Sequence, residues 1–361
     1  MALTVLNVAY PLAPVGEGAV GGAEQVLTHL DAALVRAGHR SLVVACEGSA
    51  TAGTLFATPR EHGPLDDAVR RRVRARHRAA IDEVLARHGV DLVHLHGVDF
   101  HTYLPPAGVP ALVTLHLPPH WYPSAIWRLD RPQTYLQCVS ASQRRACPPA
   151  PGRVPVVENG VPVPAEPPGH ATRGFVLALG RICPEKGFHL ALEAATRAGR
   201  PCLLAGAVYP YPAHARYFRD EVAPRLDGPH RFIGPLAGAR KRRFLAAARA
   251  LLVTSQVPET SSLVAMEALA CGTPVVAFPA GALADVVDHG TTGFLVDDVA
   301  EMADAIEAAS TLDPRACRRA ARERFALERM TTQYLDLYAR LARAPHAPLR
   351  RAGTPATERD G

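Results

Sequence analysis

Apolar and polar positions follow two rhythms along this chain, and the rhythms alternate. Residues 3–9 form a short apolar run closed by Pro11, the pattern of a strand buried on both faces of a parallel sheet. A glycine-rich turn follows at 16–22. Residues 23–37 then set Val26, Leu27, Leu30 and Leu34 on one side of a helix that Gly38 ends. Further short apolar runs fall at 41–46, 91–95, 111–115, 136–139 and 154–157, with a charged helix predicted over 66–88. The stretch 161–174 breaks the rhythm with Pro162, Pro164, Pro167, Pro168 and two glycines, so it reads as a linker. The pattern restarts with apolar runs at 175–179, 201–205, 231–233, 250–253, 275–278 and 294–296, helical patterns between them, and two closing helices at 313–325 and 327–343. The proline-, arginine- and glycine-containing end, 344–361, reads as a disordered tail. Strands alternating with helices on both sides of a linker predict an α/β chain of two doubly wound parallel-sheet domains facing across a cleft. The expected units are 1–163 and 164–326, followed by a terminal helix over 327–343. Ligands of such sheets sit at the carboxyl ends of the strands.

One stretch interrupts its own pattern. Residues 258–274 read as a helix that Pro258 precedes, that Ser261 or Ser262 caps, and that Gly272 and Pro274 stop. Leu263, Met266 and Ala270 fall at helical spacing, and Glu267 shares their face. A carboxylate there costs on the order of several kcal/mol unless something polar meets it. Glu259 lies just before the helix, beside the free amides of its first turn, which attract anions. Two carboxylates and a ring of amide donors suit a ligand with hydroxyls at both ends and phosphate between them. The alternative is a surface helix carrying a buried Arg–Glu pair.

Three other stretches bear on chemistry. Gly21-Gly22-Ala23-Glu24 opens the first helix after the first strand, where adjacent glycines admit a ligand close to the backbone. It matches neither the dinucleotide fingerprint nor a phosphate-binding P-loop, and a tight strand-to-helix turn explains it as well. Residues 180–187, G-R-I-C-P-E-K-G, follow the first strand of the second unit. They put Arg181 and Lys186 where a diphosphate would lie; a solvated charged loop is the plainer reading. His116 ends a strand of the first unit and could hydrogen-bond a sugar hydroxyl or work near a reacting carbon, although a lone histidine is more often structural. His94, His96, His101 and His120 crowd near it, but their spacing matches no metal signature, and no metal is expected.

Bulk properties narrow the class. The net charge of +6 is carried mostly by arginine. With 6% aromatic residues and no nucleic-acid module, a phosphorylated substrate is favoured over nucleic acid. Arg70, Arg71, Arg72, Arg74, Arg76 and Arg78 crowd the helix at 66–88 around a narrow stripe of Val69, Val73, Ala80 and Val84. That pattern reads first as a solvated face and second as a contact for a membrane surface or anionic acceptor. The cluster at 240–243 gets the same reading. Apolar runs are far shorter than the roughly 18 residues that cross a bilayer, and the first ten residues lack a basic leader segment. Seven cysteines with no C-x-x-C pair suggest reduced thiols and a cytoplasmic setting.

Taken together, these motifs resemble the retaining family 4 glycosyltransferases. Glu259 and Glu267 with seven residues between, followed by A-L-A-C-G-T-P-V-V, resemble that family's E-x7-E signature. G-G-A-E at Gly21, G-R-x-x-x-x-K-G at Gly180 and E-N-G-V at Glu158 stand in the family's order. The resemblance implies two Rossmann-like domains in the GT-B fold, with the terminal helix crossing back onto the first. It implies transfer of a sugar from a nucleoside diphosphate sugar, UDP being the favoured nucleotide, with retention, no bound metal and no further cofactor. It also assigns roles. Glu259 holds donor-sugar hydroxyls and Glu267 the ribose. Arg181 and Lys186 neutralise the departing diphosphate. The amides of Ser261, Ser262, Leu263 and Val264 cradle phosphate and sugar. The backbone near Phe232 and Ile233 meets the base, and Gly21, Gly22 and His116 line the reaction centre. The acceptor, whether small molecule, saccharide or lipid, falls to the first domain. One departure stands out: where the family commonly has P-F-G after the first glutamate, this chain has Thr260-Ser261-Ser262. Another GT-B enzyme, such as an epimerase or phosphorylase, and a non-catalytic nucleotide-sugar binder are the competing readings.

Overall fold

In a computed structural model, residues 2–61, 63, 65–149, 155–165, 174–209 and 211–343 are described, and every structural statement below concerns these. The first sheet comprises β1 (Thr4–Val8), β2 (Arg40–Cys46), β3 (Thr54–Thr58), β4 (Leu92–Leu95), β5 (Ala111–Leu115) and β6 (Thr134–Cys138). The second comprises β7 (Val176–Leu179), β8 (Cys202–Ala205), β9 (Arg231–Phe232), β10 (Ala250–Val253), β11 (Val275–Ala277) and β12 (Gly293–Leu295). Their orders are β3-β2-β1-β4-β5-β6 and β12-β11-β10-β7-β8-β9, and all pairings are parallel. Read from β9, the second order repeats the first: an initial strand flanked by the second and fourth of its own unit. Each sheet therefore has one switch point, between β1 and β4 and between β7 and β10. Loops leaving the strand ends there diverge and open a crevice.

Alternation along β1 shows how the first core forms. Val5 faces the helix Gly22–Arg36 and the last helix, Leu327–Ala342, whose Tyr334, Leu337 and Tyr338 lie in the same cluster. Leu6 and Val8 face the opposite cluster, with Ile81 and Val84 of the helix Asp67–Arg87. Both faces are covered, so the strands read as apolar runs. The helix Leu327–Ala342 thus packs on the first sheet although it follows the second in sequence. The chain crosses between the units twice at one place. The Val161 amide donates to the Phe325 carbonyl at 2.8 Å and the Leu327 amide to the Val161 carbonyl at 3.0 Å.

Several expectations need correction. β3 had no counterpart in the hydrophobic pattern, because an edge strand with partly exposed positions gives no continuous apolar run. The strand expected at 154–157 does not form. Residue 154 lies outside the described set, and 155–157 belong to no strand, with the Val157 amide donating to the Cys138 carbonyl at 3.3 Å. Of the linker, 166–173 lies outside the described residues, as does the tail 344–361. The buried stripe of the helix Asp67–Arg87 is Val73, His77, Ile81 and Val84, so two of its four members were missed. Several arginines of this helix pair internally. Arg72 and Arg76 reach Glu61, Arg74 reaches Asp99 at 2.8 Å, and Arg78 reaches Asp82 and the Leu104 carbonyl. No helix among the described residues is long and apolar enough to cross a membrane.

Candidate functional site

The loops that leave β1, β5, β7 and β10 meet in a cleft between the two sheets, with a volume of about 1460 Å³. Small-molecule sites typically occupy about 300–1,000 Å³, so this cleft has room for two substrates together. Its lining includes Gly21, Gly22, His116, Arg181, Lys186, Glu259, Ser261, Ser262, Leu263, Val264 and Glu267. Of the residues given a donor-binding or catalytic role above, Phe232 and Ile233 are absent from it. Phe232 packs against Phe218 with ring centroids 5.0 Å apart, and the Ile233 amide donates to the Leu204 carbonyl at 2.9 Å. Both are held by the edge of the second sheet; Leu179, Gly180 and Ala207 line the cleft at that end instead.

The helix after β10 is Leu263–Ala270, and its burial explains the odd glutamate. Ala265, Met266, Ala268 and Leu269 face the core. Leu263, Val264 and Glu267 form the less buried side and line the cleft. So Glu267 does not share Met266's packing face, as spacing suggested; it shares the cleft face with Leu263. Lys241 meets it at 2.5 Å, both side chains being about 15% exposed, and its Oε2 is buried without a partner. Lys241 was placed in a solvated basic cluster by the sequence. Nothing local distinguishes it from Arg240, Arg242 and Arg243; only the packing of the helix Gly238–Ala247 beside Leu263–Ala270 brings it inward.

Glu259 is fixed through its backbone. Its amide donates to Ala280 at 3.2 Å and its carbonyl accepts from Ala282 at 2.8 Å. This pairing needs glycine at 281, where φ is +64° and a Cβ would collide with the Glu259 backbone. The side chain is then met by Lys186 at 2.5 Å and by the Ser255 hydroxyl. Burial pushes the Glu259 carboxyl up, but Lys186, Ser255 and Arg181 outweigh it and hold it below the usual carboxylate range. Lys186 is positioned in turn by Thr254, whose hydroxyl donates to the Lys186 and Gly187 carbonyls at 3.0 and 2.9 Å. Arg181 also lines the cleft, and its charge favours the ionised forms of Glu24, Glu185 and Glu259.

Ser262 stands at the helix start with φ +60°, a left-handed conformation that costs a non-glycine residue about 1–2 kcal/mol. Its side chain does not cap the helix, and the hydroxyls of Ser261 and Ser262 are both buried without partners. Ser262 thus holds the expected N-cap position, but without the side-chain bond. This also leaves two donors beside the open amides of the first turn.

From the first sheet, His116 reaches the cleft. Burial pushes its ring down to about 3, so the ring is neutral. One of its nitrogens pairs with His96 at 3.0 Å, and its backbone carbonyl accepts from Thr260 of the second unit at 2.9 Å. Gly22 lies against Leu263 across the same boundary, with room for no more than a close methyl contact at 3.3 Å. The sequence assigned no role to Glu24 or Asn159, yet both are buried and line the cleft. Burial raises the Glu24 carboxyl, with Arg181 opposing, and the Asn159 Oδ1 has no partner. Their membership in G-G-A-E and E-N-G-V was the available signal. His94 serves structure, bonded to Thr114 and Tyr338 at 2.7 Å each. Away from these histidines, donor atoms of Cys183, Glu185 and His214 converge within 4.8 Å beside the Arg181 loop.

Residues 173–311 match the family described as glycosyl transferases group 1, and residues 20–165 match Glycosyltransferase Family 4. A D-inositol 3-phosphate glycosyltransferase of Mycobacterium sp. (strain KMS) is 34% identical over 194 residues, covering 48% of this chain and 43% of that protein. The chain thus spans about half the length of the curated relatives it matches. Among solved structures, a glycosyltransferase involved in avilamycin A biosynthesis superposes with a TM-score of 0.69 at 24% identity, over 95% of this chain and 99% of that one. HepE of Anabaena, in complex with UDP and glucose, superposes with a TM-score of 0.71 at 20% identity, over 93% and 99%. Two matches that together run from the first helix to the last strands, on two sheets of one repeated topology, place this chain in glycosyltransferase family 4 with the GT-B fold.

Proposed function

We propose that this protein transfers a sugar from a nucleoside diphosphate sugar, UDP being the nucleotide, to an acceptor hydroxyl with retention of anomeric configuration. The observation that carries the reading is the pair of cleft-facing carboxylates, Glu259 and Glu267, each held by a lysine, with unpartnered serine hydroxyls and open helix amides between them. In this reading Glu259 accepts hydrogen bonds from donor-sugar hydroxyls, and the free Oε2 of Glu267 accepts from the ribose. Arg181, Lys186, Ser261, Ser262 and the first-turn amides of Leu263 and Val264 face the diphosphate. Negative charge builds there as the bond to the sugar breaks, and preorganised donors in a closed cleft stabilise it. Glu259 Oε1 is already engaged by Lys186 and Ser255, which suits a hydrogen-bonding role better than that of a free nucleophile. His116 and Gly22 face the reacting centre from the first domain. The charge of the leaving group is met by side chains and amides, without a metal in the transfer step.

The acceptor belongs on the first-domain side, where Arg60 and Glu24 also line the cleft. The naming of the curated relatives makes D-inositol 3-phosphate the first acceptor to assay, and Arg60 supplies a cation for its phosphate. The test begins with a thermal-shift screen against UDP, GDP, ADP and dTDP sugars, since a ligand bound only by the native state raises the midpoint. The stabilising donor is then followed by NMR in a transfer assay. A product with the donor's anomeric configuration supports the proposal. Phosphate-dependent cleavage without nucleotide-sugar use, or stabilisation by no nucleotide, refutes it.

A further inference from the structure

The loop that presents Arg181 and Lys186 carries a second constellation. Cys183 starts the short turn Pro184–Lys186, Glu185 lies inside it, and His214 projects from the helix Pro212–Tyr217 in the next crossover. One donor atom from each lies within 4.8 Å of the other two. Cys183 is fully buried, whereas Glu185 and His214 are partly exposed, which leaves a path in from solvent. Two atoms stand out: Glu185 Oε2 and His214 Nδ1 are buried and have no hydrogen-bond partner. A buried polar atom without a partner costs about 1–3 kcal/mol, and Glu185 and His214 each carry one.

We infer that Cys183, Glu185 and His214 form a binding site for a divalent transition-metal ion, zinc by preference. One thiolate, one imidazole and one carboxylate make the mixed sulfur, nitrogen and oxygen set that zinc accepts, with water completing a tetrahedron. Charge balances as well. A thiolate and a carboxylate neutralise the ion, so Arg181 nearby meets no net positive site. Binding then replaces the thiol proton: Cys183–SH and M²⁺ give the metal thiolate and one released H⁺, and affinity rises with pH.

The consequence is mechanical. The ion ties the loop after β7 to the helix Pro212–Tyr217 and braces the segment from which Arg181 and Lys186 reach the cleft. Those two side chains remain the groups that face the diphosphate. The inference stands apart from the transfer reading, because metal binding is measured without donor or acceptor.

The experiment uses the full chain without an affinity tag, stripped with chelator and titrated with ZnCl2 and, separately, CoCl2. The expected result is one equivalent of zinc per chain, a rise in thermal midpoint, and a thiolate-to-cobalt charge-transfer band in the near ultraviolet. Cys183→Ser removes the band, and both Cys183→Ser and His214→Ala weaken zinc binding by about tenfold or more. His214→Ala keeps the test decisive if Cys183→Ser folds poorly. Cys147→Ser, at a thiol 3.7 Å from Cys138, leaves binding unchanged. No uptake, uptake that survives both Cys183→Ser and His214→Ala, or a band that disappears with Cys147→Ser would overturn the assignment.

Discussion

At the scale of single residues, the asymmetry between Glu259 and Lys186 decides what mutation will do. The Glu259 side chain is 11% exposed and that of Lys186 is 28%. Removing the lysine strands a buried carboxylate, which costs about 3–5 kcal/mol. Removing the charge from Glu259 leaves an ammonium that water still reaches, and the penalty is smaller. So Lys186→Ala is expected to lose both stability and turnover. Glu259→Gln is expected to lose turnover by roughly a hundredfold or more with a near-normal thermal midpoint. The double variant Lys186→Met/Glu259→Gln should regain most of the stability lost in Lys186→Ala and none of the turnover. Paired denaturation and donor-consumption assays read this, and full turnover in Glu259→Gln would remove Glu259 from the site. Lys241 follows the same logic with respect to Glu267. Lys241→Met is expected to weaken UDP binding by several-fold, because Glu267 then holds a charge in a half-dry cleft with no counterion. Isothermal titration with UDP checks it, and an unchanged Kd would mean that Glu267 does not face the nucleotide.

At the scale of elements, the helix Leu263–Ala270 shows how a site is built by breaking local rules. This chain puts Ser262, a non-glycine residue, at φ +60°. Ser262→Gly is therefore expected to stabilise the fold by about 1 kcal/mol, measured by urea denaturation, since the strain of the left-handed serine disappears. Destabilisation would show that the buried hydroxyl contributes more than the strain costs. The same helix marks the limit of what sequence alone conveys. Its span and its stop at Gly272 could be read from spacing, because helical periodicity is local, whereas the face that Glu267 takes could not. The strands β5 and β10 fell where continuous apolar runs put them, for they are covered on both faces. β3 was invisible because an edge strand has no such run. Lys241 was invisible for a different reason: burial of a lysine inside a run of basic residues is a property of how two helices pack, not of either helix. Phe232 closes β9 and Ile233 follows it, and neither lines the cleft.

At the scale of the whole molecule, the last helix ties both units together through polar groups in the core of the first sheet. Tyr338 bonds His94, Tyr334 bonds Gln137, Thr114 bridges His94 and Tyr334, and His96 pairs with His116 at the cleft. His94 and His96 are buried in this network, and His116 is partly buried at the cleft. Burial lowers His94 and His96 well below the ordinary range, and it lowers His116 to about 3; His77, on the other face of the sheet, falls to about 4. The unfolded chain therefore takes up protons below about pH 6.5 that the folded chain refuses. Stability from this source is complete above the unfolded histidine range and declines as pH falls through it, by up to about 1.4 kcal/mol per pH unit for each histidine. Glu259, held low, contributes in the same direction but only from the carboxylate range downward. The two contributions are separable: loss between pH 6.5 and 5 belongs to the histidines, and further loss below pH 4.5 includes the glutamate. Urea denaturation midpoints measured across pH 7.5 to 4 should fall steeply from pH 6.5, with the slope of more than one proton. His77→Gln, which can still donate to the Ala9 carbonyl that His77 meets at 3.0 Å, should flatten that slope by about one proton without touching the cleft. A midpoint constant from pH 7.5 to 5 would mean that these rings are charged or solvated in the fold, and the polar seam beneath the last helix would then need a different account.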